Sequence, residues 1–440
     1  MKTAYRLALA TSAVAMIPIL TGAMSSIDPS TARELDTFME VFDRVKAEYV
    51  DKVDDKVLIR GAIDGMLAAL DPHSGYEAGT DFQNLRAQTE GEYGGLGLTV
   101  TMEDGAVKVM TPSEDTPAFR AGIKSGDFIT HLNGNFIVGG TLDEAVDQMR
   151  GKPGTSIKLT LVRPGRDKPF DVTLTREIIK LRPVKWEVKG DVGYININAF
   201  SRDTGGSVRA ALIGIDKSLG HQPAGYVVDL RSNPGGLLDE AVAVSDAFLD
   251  KGGIVSQRGR DPRENERWDA TPGDLAHGLP VVVLVDAGSA SAAEIVAGAL
   301  RDNRRAIVMG ERSFGKGSVQ TVAPLSENTA LRLTTARYYA PSGKSIQEGG
   351  IEPDILVPQL SDPDYKDRPR IREADLRKHL VNQAKVDNTV LESDTKADPR
   401  FSATAEQLKA KGIEDFQLDY ALKTVSRLAA PTQPRMAARK

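Results

Sequence analysis

The 440-residue chain has no cysteine. That absence excludes a thiol nucleophile, disulfide staples and thiolate metal sites together. Histidine is scarce. His73, His131, His221, His277 and His379 are scattered without metal-ligand spacing, so each is expected in a turn or on the surface, and neither a metal nor a cofactor is expected. A basic excess is also missing: 56 Lys and Arg stand against 61 Asp and Glu, a net charge of −5. Nothing is left over to meet phosphate, which argues against a nucleic-acid partner. The apolar run Leu7–Leu20 is too short for a comfortable membrane span; it follows Lys2 and Arg6 and precedes the small residues Thr21-Gly22-Ala23. It reads as a signal peptide over residues 1–23, with an uncleaved anchor as the alternative, and a bacterial periplasm as the compartment that fits best.

What is present centres on Val281–Val322. Val281–Val285 is five consecutive Val or Leu residues, the pattern of a strand buried on both faces. Ser291-Ala292-Ala293-Glu294 then opens an Ala-rich helix to about Asp302, with Ile295, Val296, Ala299 and Leu300 at helical spacing. Ala306–Met309 reads as a second strand and Ser318–Val322 as a third, with Lys316 in the glycine turn between them. A serine at a strand-to-helix turn presents its hydroxyl beside unpaired helix N–H groups, notably that of Ala292, which suits a developing oxyanion. With no histidine at hand, Lys316 is the candidate base. It must be neutral to take a proton, and burial favours the neutral amine by removing water from the ammonium. Gln320 lies four residues on, expected on the same strand face, where its amide would orient the amine.

Two plainer readings compete. Ser291-x-x-Glu294 is also a capping box, in which the serine only satisfies a helix amide. Gly310-x-x-x-x-Gly315-Lys316 imitates a phosphate-binding loop, but Gly317 occupies the Ser/Thr position and a strand follows rather than a helix.

Ser289-Ala290-Ser291-Ala292-Ala293-Glu294 together with Phe314-Gly315-Lys316-Gly317-Ser318-Val319-Gln320 resembles the carboxy-terminal processing peptidases, or tail-specific proteases, which are serine-lysine endopeptidases. The resemblance implies Ser291 as nucleophile, Lys316 as base and Gln320 as the residue that positions it. The serine-to-lysine spacing of 25 agrees, while Ala293 stands where the family more often has a third serine.

Ahead of this stretch, Asp28–Leu70 is helical in pattern (a segment of about 28–80), with more apolar surface than two or three helices can bury between themselves; in the resembling family such a segment contributes to dimerisation. Residues 84–176 read as a small domain. Gly95-Leu96-Gly97-Leu98 forms a glycine turn into a strand, Pro117–Arg120 a short helix, Phe128–Leu132 a strand, Thr141–Arg150 an amphipathic helix and Ile157–Val162 a closing strand. This resembles a PDZ domain. The resemblance implies that Gly95, Leu96, Gly97 and Leu98 hold a peptide's terminal carboxylate, and offers Arg163 as the counterpart of an arginine that takes part in catalytic gating.

The protease core is expected over 183–358, with strands Val192–Ile197, Tyr226–Leu230 and Ala330–Tyr339 and helix Thr204–Leu219. The turn Asp229–Leu238 offers the N–H of Gly235 or of Gly236 as a second oxyanion donor, as the family's equivalent turn implies. Pro341–Gln347 and Gly350–Asp354 repeat family signatures outside the active centre. A linker and C-terminal segment, 361–440, contains helical patches at Glu373–Val386 and Asp415–Leu428 and a disordered end.

The resulting expectation is an α/β multidomain chain: a mixed α/β, crotonase-like protease core, an inserted β-rich PDZ domain and helical terminal segments. It is expected to be an exported, ATP-independent serine endopeptidase acting on proteins bound by their C-termini. Partners in view are such substrates, further copies through the terminal helices, and a lipoprotein adaptor as in some relatives. A PDZ adaptor on an inactive scaffold is the alternative.

Overall fold

The computed structural model describes residues 28–103, 105–365, 367–368, 370–382, 398 and 400–430. The leader 1–23 and the tail Pro431–Lys440 lie outside them. Two compact units divide the chain, Met1–Gly65 and Met66–Lys440.

In the first unit, helix α1 (Pro29–Glu48) begins where Asp28 accepts the Ser30 N–H and Pro29 takes the first turn. None of its residues is buried, and Leu35, Phe38, Met39 and Val41 are about half exposed. Helix α2 (Asp55–Ala68) starts in this unit and crosses into the second.

The second unit opens with strand β1 (Gly75–Ala78) and helix α3 (Thr80–Glu90), ended by Gly91 in the left-handed conformation. Asn84 therefore falls inside a helix. A meander follows: β2 (Glu92–Gly95), β3 (Leu98–Glu103), β4 (Ala106–Pro112), helix α4 (Pro117–Arg120), β5 (Phe128–Leu132), β6 (Asn135–Phe136), helix α5 (Leu142–Met149), β7 (Ser156–Val162), β8 (Phe170–Thr175) and β9 (Glu177–Lys180). The sheet runs β3-β4-β5-β7-β8, while β2 pairs with β9, just beyond Arg176. Its core takes alternate residues of β7 (Ile157, Leu159, Leu161) and the inner stripe of α5 (Ala145, Met149). Reciprocal bonds between Thr141 and Glu144 cap α5.

The larger sheet runs in the order β10 (Val184–Lys189), β11 (Val192–Ile197), β12 (Gly225–Asp229), β15 (Val281–Val285), β16 (Ile307–Gly310) and β19 (Ile355–Leu356). Only the β10–β11 pairing is antiparallel. All five residues of β15 are buried because both faces are covered. Helices α6 (Thr204–Leu219), α7 (Leu238–Asp246) and α8 (Ala292–Asp302) pack in the cluster with Val281, Val283 and Val285. On the other face Val282 and Leu284 meet Ala421 and Val425 of a C-terminal helix. Each such buried side chain contributes about 2 kcal/mol by leaving water.

A second sheet joins β1, β13 (Gly253–Gly259), β14 (Glu266–Asp269), β17 (Ser318–Ser326) and β18 (Thr329–Tyr339), with β17 and β18 as an antiparallel hairpin. At the C-terminal end come α9 (Ala405–Ala410) and α10 (Phe416–Ala429); α10 is the helix that covers the large sheet. The helix expected from Glu373 does not form over the described residues. A single 3-10 turn, Glu373–Asp375, is followed by Lys378 at a φ of 60°, which no right-handed helix accommodates, while Glu348 captures His379 and the Asn382 N–H; residues 383–386 lie outside the described ones.

Candidate active site

β12, β15 and β16 are neighbours and parallel, so the loops leaving their C-terminal ends, residues 230–237, 286–291 and 311–317, share one edge of the sheet. That edge is where open α/β sheets carry their sites.

Ser291 is the N-cap of α8 and is partly exposed. Its backbone has φ 53° and ψ −112°, a conformation that residues with side chains adopt only when their surroundings enforce it, at a cost of about 1–3 kcal/mol. The enforcement comes from Glu294. Its carboxylate is fully buried and accepts the Ser291 N–H at 2.7 Å. Ala292 is the first helical residue, so its N–H has no helical partner.

The 230–237 turn lies against this serine. A side chain at Gly235 would place its Cβ 2.8 Å from Ser291 Cβ and 3.0 Å from the Ala292 nitrogen, so only glycine fits at this φ of 99°. Asn233, fully buried, holds the turn: its Oδ1 accepts the Gly235 N–H at 2.8 Å, its amide donates to Ile197 O, and its carbonyl accepts the Ala290 N–H at 2.9 Å. The Gly235 N–H is thereby occupied, which separates two glycines that the sequence leaves equivalent.

Lys316 arrives on the third loop. Glu294 reaches it too: the Oε2 that accepts from Ser291 also accepts the Lys316 N–H at 2.9 Å, while Oε1 accepts from Gly315 N–H and Ser313 Oγ. One carboxylate thus binds the serine turn to the lysine turn. Burial pushes the Glu294 carboxyl up to about 7, against the pull of its four donors. The Phe314 N–H donating to Ser289 O at 3.0 Å is a second tie between the turns. The Lys316 amine is pushed below the ordinary lysine value of 10.5, first by burial and then by the Arg332 guanidinium. Glu373, Glu294 and Asp71 oppose that shift. All three lie more than twenty residues from Lys316 in the sequence, and the fold brings them near it.

Gln320 departs from its expected contact. Lys316 precedes β17 and a bulge separates Val319 from Gln320, so strand alternation does not relate the two side chains. The Gln320 amide instead donates to Ser318 Oγ at 2.9 Å and Thr334 Oγ1 at 3.2 Å. Gln347, expected outside the active centre, accepts the Gly317 N–H at 2.9 Å. His73 lies in the bend after Asp71, as expected, but its side chain turns inward and its Nε2 meets the buried Glu373 at 2.9 Å. Arg163 is committed to a bidentate pair with Asp127 and to Gly122 O. Among the described residues no cluster of three or more His, Asp or Glu is arranged to hold a metal ion.

In the small domain a concavity of about 70 Å³ lies between β3 and α5. Gly95, Leu96, Gly97 and Leu98 form one wall, and Val100, Val146 and Met149 add apolar side chains beside it. Tyr93 and Arg150 stand at it, the guanidinium 5.0 Å over the tyrosine ring.

Comparison with known proteins matches residues 191–357 to the model for peptidase family S41, residues 94–174 to that for a PDZ domain, and residues 19–79 to that for the activating protease CtpB N-terminal domain. A carboxy-terminal-processing protease of Bartonella bacilliformis is 51% identical over 362 residues, 82% of this chain and 83% of that protein. The chain belongs to peptidase family S41 as a carboxy-terminal-processing protease. A probable CtpA-like serine protease of Staphylococcus epidermidis is 36% identical over 330 residues, 74% of this S41 protease and 65% of its relative. Among solved structures, the photosystem II D1 C-terminal processing protease is 28% identical, with 74% of this chain and 93% of that one covered at a TM-score of 0.42. This S41 protease is a serine-type peptidase with a PDZ domain and a mixed α/β core.

Proposed function

We propose that the protein cleaves polypeptides with a Ser291–Lys316 dyad, taking substrates by their C-terminal tails in the PDZ concavity. The observation that carries this reading is the shared Glu294 oxygen, which couples a strained serine to a lysine whose amine has lost much of its water. Ser291 Oγ forms a bond to the scissile carbonyl carbon as its proton passes to neutral Lys316 Nζ. The oxyanion is met by the Ala292 N–H and, of the two glycines, by that of Gly236, since Asn233 holds Gly235's. When the C–N bond breaks, the Lys316 ammonium returns its proton to the leaving amine. Water then attacks the acyl-enzyme with Lys316 as base, and the serine hydroxyl is restored.

Gln320 acts in this scheme through Thr334, whose hydroxyl donates to Asp71, a carboxylate that acts on the lysine. The PDZ reading of Gly95–Leu98 rests on the apolar wall beside them, fitted to a terminal side chain. Parallel strands interleaved with helices support a crotonase-like core. Export to the periplasm rests on Lys2, Arg6 and the Leu7–Leu20 run. We assign residues 28–80 to pairing with a second copy, on the exposed apolar side chains of α1.

The test uses an unstructured protein ending in an apolar tail. Ser291→Ala and Lys316→Ala are each expected to abolish its cleavage while tail binding persists. Cleavage near the parental rate in either variant would overturn the dyad.

A further inference from the structure

Behind the lysine turn lies a buried carboxylate that proteolysis by Ser291 and Lys316 leaves without a task. Glu373 belongs to the segment beyond the S41 match and is fully buried. Its oxygens meet His73 Nε2 at 3.0 and 2.9 Å, and Oε1 also accepts from Gln347 Nε2 at 2.9 Å. Gln347 in turn accepts the Gly317 N–H, and the Glu373 N–H donates to Phe314 O at 3.1 Å. One residue therefore grips the turn that carries Lys316 on both sides of it, by its backbone and through an amide.

Anchoring a turn needs no charge, and an ionised carboxylate out of water costs several kcal/mol unless it is well partnered. What a carboxylate adds over a neutral acceptor is a negative potential at the neighbouring amine. We propose that Glu373, with His73 at its back, is a positioning residue that sets how readily Lys316 releases its proton: the carboxylate favours the ammonium, and His73 offsets the carboxylate. This rests on Lys316 being the base.

The groups that act on the amine come from several elements. Glu294 is on α8, Asp71 follows α2, and Arg332 is on β18 with its own partner Glu77 on β1. The His379–Glu348 pair also stands near Glu373. Of the three carboxylates opposing the downward shift of Lys316, Glu373 contributes most.

The sign follows from the chemistry. Lys316 works as a base only when neutral, so activity climbs as pH rises through its midpoint. Removing a nearby negative charge moves that limb to lower pH; removing the group that offsets the charge moves it to higher pH.

The experiment is the pH dependence of kcat/KM on the tail-bearing substrate for the full chain and for Glu373→Gln, His73→Ala and His73→Gln. In Glu373→Gln the limb is expected to move down, so that one unit below the parental midpoint the activity, relative to each plateau, rises about 3-fold or more. In His73→Ala it is expected to move up, with His73→Gln, which keeps a donor, between His73→Ala and the parent. A purely structural role would lower plateaus and melting temperature without moving either limb. Limbs that stay in place, or that move in the same direction in both variants, overturn the proposal. If Glu373→Gln shows no plateau at any pH, His73→Ala decides alone, and an unmoved limb there overturns it. Parental rates in Ser291→Ala or Lys316→Ala would remove the dyad itself; inactive dyad variants with unmoved limbs remove only the role of Glu373.

Discussion

Glu294 does at the residue scale what its sequence position conceals. Three residues after a helix N-cap, a glutamate ordinarily reaches back to one amide. Here the same carboxylate also takes two amides and a hydroxyl from the lysine loop. Glu294→Ala would leave three N–H groups without their acceptor and the Phe314–Ser289 bond as the remaining tie described between the two turns. We expect kcat to fall by about 100-fold with KM little changed, and stability to drop by about 3 kcal/mol, measured by steady-state kinetics and urea unfolding. Unchanged kcat would mean that the turns are held by other bonds. The turns that carry Ser291 and Lys316, and the glycine turn, were legible because each is a short pattern between recognisable elements. Glu373, His73, Asp71 and Gln347 were not, since only the tertiary fold brings them to Lys316. The strand face expected of Gln320 was wrong because a bulge, invisible in composition, breaks the alternation on which it relied.

At the scale of elements, long apolar or strongly amphipathic segments were legible nearly to the residue. Helix α6, strand β11 and strand β15 have the bounds that their patterns imply. Helix α3 escaped because TDFQNLRAQTE is largely polar and buries only Ala87. The segment from Glu373 was mistaken for a helix because Glu373 is taken by Gln347 and His73, and His379 by Glu348, rather than by an apolar stripe. Strand β15 carries the nucleophile loop, so its packing is the support of the site. Leu284, fully buried in the cluster that includes Ala421 and Val425 of α10, should lose about 3 kcal/mol of unfolding free energy on substitution to Ala, with an unchanged urea m-value. A loss below about 1 kcal/mol would show that α10 closes readily over the gap.

Across the whole molecule, the PDZ domain and the S41 core could be read from the sequence because both carry glycine turns at fixed places between recognisable strands. How the C-terminal segment closes the large sheet could not, since that depends on Arg231 joining Asp229 to Asp415 across most of the core's length. The same long-range assembly creates the chemistry we propose. Neither Ser291 nor Lys316 is reactive in an unfolded chain; strain at one and loss of water at the other arise only when loops from β15 and β16 meet over Glu294. The most direct measurement is therefore a mass-spectrometric map of the adduct left by a fluorophosphonate, made on the intact parental chain and on Lys316→Ala. The account predicts a single modified peptide carrying the adduct on Ser291, and its loss when Lys316 is replaced. An adduct on Ser289, Ser313 or Ser318 instead, or equal labelling of Ser291 without the lysine, would contradict it.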